Sequence, residues 1–133
     1  MHGWTWWTKM LGAIGVIAAS FFISLAAMNY FWPPCSGGIA LRGPFQRLAS
    51  GFAYVVPAPS LVDRSDTPEA PKRSAAYVCE GDLPLGPAHA PHGEIDTLGR
   101  GRFSHFSTNG FIFSTSDNSD PNKNGRTYMA IQP

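Results

Sequence analysis

Charge is scarce in this chain and neither sign dominates. Its 133 residues include 10 Lys or Arg and 9 Asp or Glu, giving a net charge of +1. Beyond Pro34 the balance is even: Arg42, Arg47, Arg64, Lys72, Arg73, Arg100, Arg102, Lys123 and Arg126 face Asp63, Asp66, Glu69, Glu80, Asp82, Glu94, Asp96, Asp117 and Asp120. No long-range field follows, and no Lys/Arg stripe is present. This argues against a nucleic-acid partner, whose phosphates require a basic face. The chain also lacks a nucleophile elbow, a phosphate loop, a dinucleotide fingerprint and a paired cysteine motif. Asn109, Asn118, Asn122 and Asn124 are not followed two residues later by Ser or Thr, so none is a glycosylation acceptor. With 12 Pro and 14 Gly, long helices are not expected in the second part of the chain. Proline removes a backbone donor, and glycine costs about 1 kcal/mol in a helix interior.

What the chain does have is one long apolar run, Met10 to Trp32, without a charged side chain. As a helix it rises roughly 34 Å, enough for a hydrocarbon core about 30 Å thick. Trp4, Trp6 and Trp7 precede it, and Tyr30, Phe31 and Trp32 close it. Aromatic rings at both headgroup levels suit a full span, whereas a helix lying on the surface needs a charged face that is missing here. A cleaved secretory signal is the alternative, with Lys9 as its positive region and Ser24-Leu25-Ala26 as its cleavage site. The length of the run and its paired aromatic belts favour the span.

Within the run, Gly12, Gly15, Ala19 and Ala26 fall on one helical face. Small residues there let a second membrane helix approach closely, so they are the candidate helix-packing residues. Lys9 on one side and Arg42 and Arg47 on the other leave the positive-inside count nearly tied. A short N-terminus ahead of an early span favours an inner-membrane protein with a cytoplasmic N-terminus and a periplasmic C-terminal domain.

The expected organisation is a tail at 1–9, a transmembrane helix at 10–33, a linker at 34–51 and a small β domain at 52–133. The fold class is thus a single N-terminal transmembrane α-helix followed by a small, mainly antiparallel β domain with long irregular loops. Pro33-Pro34 ends the helix. Cys35 and Cys79 form a candidate disulfide, appropriate to an oxidising compartment and able to contribute about 4 kcal/mol by closing the loop between them. Two unrelated thiols are the alternative. A lipid-modified Cys35 is excluded, because Trp32-Pro33-Pro34 is not the small-residue approach that such a cysteine follows.

Residues 52–56, 75–79 and 128–131 read as strands from their aromatic and β-branched content. Residues 103–106 and 111–114 flank Asn109-Gly110, the strongest short hairpin signal. Residues 57–74, rich in Pro and charge, read as an irregular arm that is either functional or solvated.

Three polar groupings are candidate sites. His89, His92, Glu94 and Asp96, with His105 more distant, are types that bind zinc, but the spacing matches no zinc signature. Ordering an irregular loop is the expected role of these residues. Glu94 and Asp96 also represent a minor hydrolase reading as an acid/base pair. His89, His92, His105 and Phe106 form a candidate ligand surface. Asp120, Asn122 and Asn124, followed by Gly125, fit the first half of a calcium loop. Ile131 occupies the twelfth position, where an EF-hand needs glutamate, so only a weak non-EF-hand calcium site is left. An Asx-rich turn needing no ion is the alternative.

The chain therefore reads as a non-enzymatic accessory subunit of an inner-membrane complex. Its partners would be integral membrane proteins and the bilayer, with no cofactor required. The rival reading is a membrane-anchored envelope glycan-binding module, calcium-dependent if the Asp/Asn loop holds an ion.

Overall fold

The computed structural model describes residues 35–106 and 110–133, together with Leu11, Ile17 and Phe22. Those three are helical with exposed side chains. Apart from these three, the expected transmembrane helix at 10–33 lies outside the described residues, as do its expected packing residues Gly12, Gly15, Ala19 and Ala26 and anchors Trp4, Trp6, Trp7, Tyr30 and Trp32. Among the described residues, no helix is long and apolar enough to cross a membrane. The chain divides into two compact units, Met1–Pro34 and Cys35–Pro133.

The second unit is a small antiparallel β domain made of two four-stranded sheets. One sheet has the order β1 (Ile39–Leu41), β8 (Tyr128–Ile131), β4 (Tyr77–Glu80), β5 (Leu83–Pro84). The other has the order β2 (Gln46–Arg47), β3 (Tyr54–Val56), β7 (Gly110–Phe113), β6 (Phe103–Phe106). Alternation along the strands explains how the sheets pack, because successive side chains leave a strand on opposite faces. Tyr54, Val56, Phe103, Phe111 and Phe113 of one sheet meet Leu41, Val78, Tyr128 and Ala130 of the other in a shared core. Phe45 sits at their junction, its ring 5.4 Å from both Phe113 and Tyr128 in edge-to-face contacts. Burying each large ring contributes about 2 to 3 kcal/mol.

The opposite face of the second sheet is also covered. Val55 and Ile112 point outward there and pack with Ala53, Ala90 and Ile95. Ile95 belongs to α1 (His92–Thr97), a short helix where the sequence predicts an irregular loop. Its flanking prolines obscured it: Pro91 stands just before the first helical residue, and the carbonyl of Pro91 accepts the Glu94 and Ile95 N–H groups. β1 and β2 were equally hidden, since strands of three and two residues are too short to show alternation.

The expected hairpin is present as β6 and β7, with Phe106 opposite Gly110. Its connection is 107–109, so Gly110 is the first strand residue rather than part of the turn. Gly110 has φ +72°, and a Cβ there would lie 2.5 Å from the Val56 carbonyl oxygen. Glycine is required on both counts.

The irregular arm folds onto its own domain. It contains a 3-10 helix, Pro59–Arg64, and buries Ala58 and Leu61 in the core. Asp66 then forms a parallel bridge with Phe106, and the Asp66 N–H donates to the His105 carbonyl at 2.7 Å. The arm thus covers the free edge of β6, an edge that would otherwise expose unpaired backbone groups. Cys35 and Cys79 are joined by a disulfide, which ties the start of this unit to β4.

Candidate functional site

Two polar clusters and one cleft contain the chemistry of the β domain. The first cluster joins the arm to β6. Asp66, Ser74 and His105 are buried, at 2%, 4% and 2% exposure. The Ser74 N–H donates to Asp66 Oδ1 at 2.8 Å, and Asp66 Oδ2 lies 2.7 Å from His89 Nδ1. Ser74 Oγ lies 2.7 Å from His105 Nδ1 and accepts the Ala76 N–H at 3.2 Å. The His105 ring stacks on Phe111 with centroids 4.3 Å apart. Burial lowers the His105 pKa, partly opposed by the charge of Asp66.

These residue types could suggest a hydrolase, but their pairing does not make one. The carboxylate faces His89, whereas the hydroxyl faces a different ring, His105, so no carboxylate–imidazole–hydroxyl relay is formed. A nucleophile must also reach its substrate, and Ser74 is enclosed. The cluster is suited to clamping the arm over β6.

The residues expected as a ligand surface are divided accordingly. His105 lies in the interior with its ring on the core face. His89 is engaged with Asp66. His92 and Phe106 meet edge to face, with centroids 5.6 Å apart, on the side covered by α1. Burial also lowers the His92 pKa.

Glu94 and Asp96 do not face a common bond. They are two apart on α1, and side chains at that spacing leave a helix in different directions. Glu94 is exposed. Asp96 instead braces the β2–β3 connection: Oδ1 accepts the Gly51 N–H at 3.1 Å, and its carbonyl accepts the Phe52 N–H at 2.8 Å. Among the described residues, no group of three His, Cys, Asp or Glu side chains could hold a metal ion.

The second cluster is charged. Glu80, 8% exposed, accepts from Arg126 Nη1 at 3.1 Å and the Tyr128 hydroxyl at 3.0 Å, and also from the Ser116 hydroxyl. Arg126 Nη2 donates to Asp117 Oδ2 at 2.6 Å. Hydrogen bonds from Arg126, then from Ser119, hold the Asp117 carboxyl well below the usual range. Burial pushes the Tyr128 hydroxyl pKa up, reinforced by Glu80.

The Asp/Asn segment is wired into this cluster. Asn122 grips the Phe45 backbone twice, accepting its N–H at 2.7 Å and donating to its carbonyl at 2.9 Å. Asn124 Nδ2 donates to the Tyr128 hydroxyl at 2.8 Å, and its Oδ1 accepts the Arg126 backbone N–H at 3.0 Å. Asp120 Oδ1 accepts the Asn122 N–H at 2.9 Å. Much of the oxygen capacity of this segment is thus already engaged by the chain itself, as in an Asx turn.

Beside this cluster lies an open cleft of about 470 Å³, lined at residues 40–43 and 126–129 and by Phe45. Arg42 is exposed there and makes no salt bridge among the described residues. Sequence reading missed Asp66, Ser74, Glu80, Arg42 and Arg126 as site residues, because each draws its meaning from partners distant in the chain. The nearest available signal was the Asx-rich run ending at Arg126.

The fold and these clusters define a two-sheet antiparallel β domain with an open cleft beside its charged cluster. No known protein family, curated protein or solved structure matches the chain.

Proposed function

We propose that the chain is a non-enzymatic single-pass accessory subunit of an inner-membrane complex, anchored through 10–33 and presenting its β domain outside the cytoplasm. The observation that carries this reading is the Cys35–Cys79 disulfide, three residues beyond the apolar run. A disulfide belongs to an oxidising compartment, so the domain lies outside and the short N-terminus inside. The exposed apolar side chains of helical Leu11, Ile17 and Phe22 support the span. The unformed relay among Asp66, Ser74, His89 and His105 supports a role without catalysis.

Helix association through Gly12, Gly15, Ala19 and Ala26 would supply the partner contact in the bilayer. Purification of the full chain in mild detergent, followed by mass spectrometry of co-eluting proteins, tests this reading. Recovery with a stoichiometric membrane partner is expected, weakened by Gly15→Leu; a lone monomer would count against it.

A second reading, a membrane-anchored glycan-binding module, is favoured by the cleft between Arg42 and Arg126. It needs no calcium, because Asn122 and Asn124 act there through their contacts with Phe45 and Tyr128.

A further inference from the structure

We propose that the cleft lined by 40–43, Phe45 and 126–129 binds a carboxylate-bearing saccharide of the hexuronic acid class, with Arg42 holding the carboxylate. The inference rests on the glycan-binding reading and is independent of the subunit reading.

Its volume of about 470 Å³ falls in the range of small-ligand sites. More telling is how its walls are held. Phe45 is clamped by Asn122, the Tyr128 hydroxyl is held by Asn124 and Glu80, and Arg126 is held by Asp117 and Glu80. Three wall residues are therefore fixed before any ligand arrives, so little side-chain ordering remains to be lost on binding.

The wall chemistry defines the ligand class. Arg42 offers a guanidinium fork with no competing carboxylate among the described residues, the geometry that grips a carboxylate through two hydrogen bonds. Arg126 uses one donor on Glu80 and one on Asp117, and a guanidinium has five, so donors are left for ligand hydroxyls. Thr127 in the lining adds a hydroxyl that both donates and accepts, and Asp117, outside the lining, holds Arg126 in place. Donors and acceptors are thus mixed, as a polyol requires. Two guanidinium groups set against Glu80 and Asp117 leave the neighbourhood close to neutral, which suits a sugar ring bearing a single carboxylate better than a dianionic phosphate. β1 is an edge strand of its sheet, so an extended acidic peptide adding to that edge is the competing ligand that the titration below separates.

The test is calorimetric titration of the full chain in detergent micelles with a trigalacturonate, a neutral maltotriose and an acidic hexapeptide of Asp and Glu. The expected result is saturable binding of the uronate, at least tenfold tighter than the neutral sugar. Arg42→Gln should weaken it about tenfold, Asp117→Asn severalfold, and Arg100→Gln, a substitution outside the cleft, should leave it unchanged. Equal binding of both sugars with no effect of Arg42→Gln would overturn the uronate assignment while leaving a glycan module standing. Failure of both sugars to bind would overturn the assignment and the glycan reading together. Binding of the peptide alone would overturn them in favour of a protein ligand.

Discussion

Asp66 and Glu80 are both buried carboxylates, at 2% and 8% exposure, and they are satisfied in different ways. Asp66 is met by the Ser74 N–H and an imidazole, inside a cluster that pins the arm to β6. Glu80 is met by a guanidinium, a phenol and a hydroxyl, in a network that reaches solvent through Asp117 and borders the cleft. A carboxylate whose partners are fixed by the local backbone is part of the fold. One whose partner is a half-exposed Arg126 can support the fold while Arg126 keeps its remaining donors for a ligand. The same residue type therefore has a structural role in one place and, in the proposed glycan-binding reading, a supporting role in recognition in the other, and the identity of its partners decides which.

The largest expected effect comes from removing a feature that serves both regions. Replacing Cys79 with Ser opens the Cys35–Cys79 link, whose sequence separation is 44, and should destabilise the domain by about 4 kcal/mol in the loop-entropy account. Thermal unfolding with and without reductant checks this; an unchanged midpoint would mean the bond adds nothing to either region.

Asp66→Ala comes next. It leaves the Ser74 N–H and the His89 ring without their acceptor in a buried site and should cost about 3 kcal/mol. The loss should be localised, so limited proteolysis should cut within 59–73 before any other described segment. Cleavage near 117–126 first would erase the distinction between the clusters.

A smaller effect should follow acidification. The folded-state pKa of His105 is lowered from 6.5 by burial, so the unfolded chain takes up a proton first. Stability is then complete above about pH 6.5 and falls as pH drops from there toward the depressed folded-state value. His92 contributes with the same sign. Denaturant midpoints between about pH 7.5 and 5.5 read this, and His105→Phe should flatten the slope.

The smallest effect belongs to Asp117→Asn, since Asp117 is largely exposed and Arg126 keeps its bond to Glu80. The midpoint should fall slightly at low salt, and the difference should shrink near 0.5 M salt, where the screening length drops to roughly 4 to 5 Å. A loss as large as that of Asp66→Ala would make the charged cluster a structural element after all.

The sequence was informative wherever local chemistry dictated local shape. Residues 128–131 were read as a strand with the observed limits, and the Asn-Gly signal found the β6–β7 hairpin. Tyr54–Val56 and Tyr77–Glu80 were located to within two residues. The site was harder to read. Asp66 takes its meaning from Ser74, His89 and His105, and Arg42 from a cleft closed by residues more than eighty positions away. No periodicity reports such long-range meetings. The same limit explains why Asn122 looked like an ion ligand, since its partner Phe45 lies 77 residues earlier.

The division of labour between the two clusters is tested most directly by side-chain and amide chemical shifts of the isotopically labelled full chain in micelles during titration with trigalacturonate. The expected result is saturating shifts at Arg42, Gly43, Phe45, Arg126 and Thr127, with Asp66, Ser74 and His105 unmoved. Shifts centred on Ser74 and His105, with Arg42 and Arg126 silent, would contradict the account.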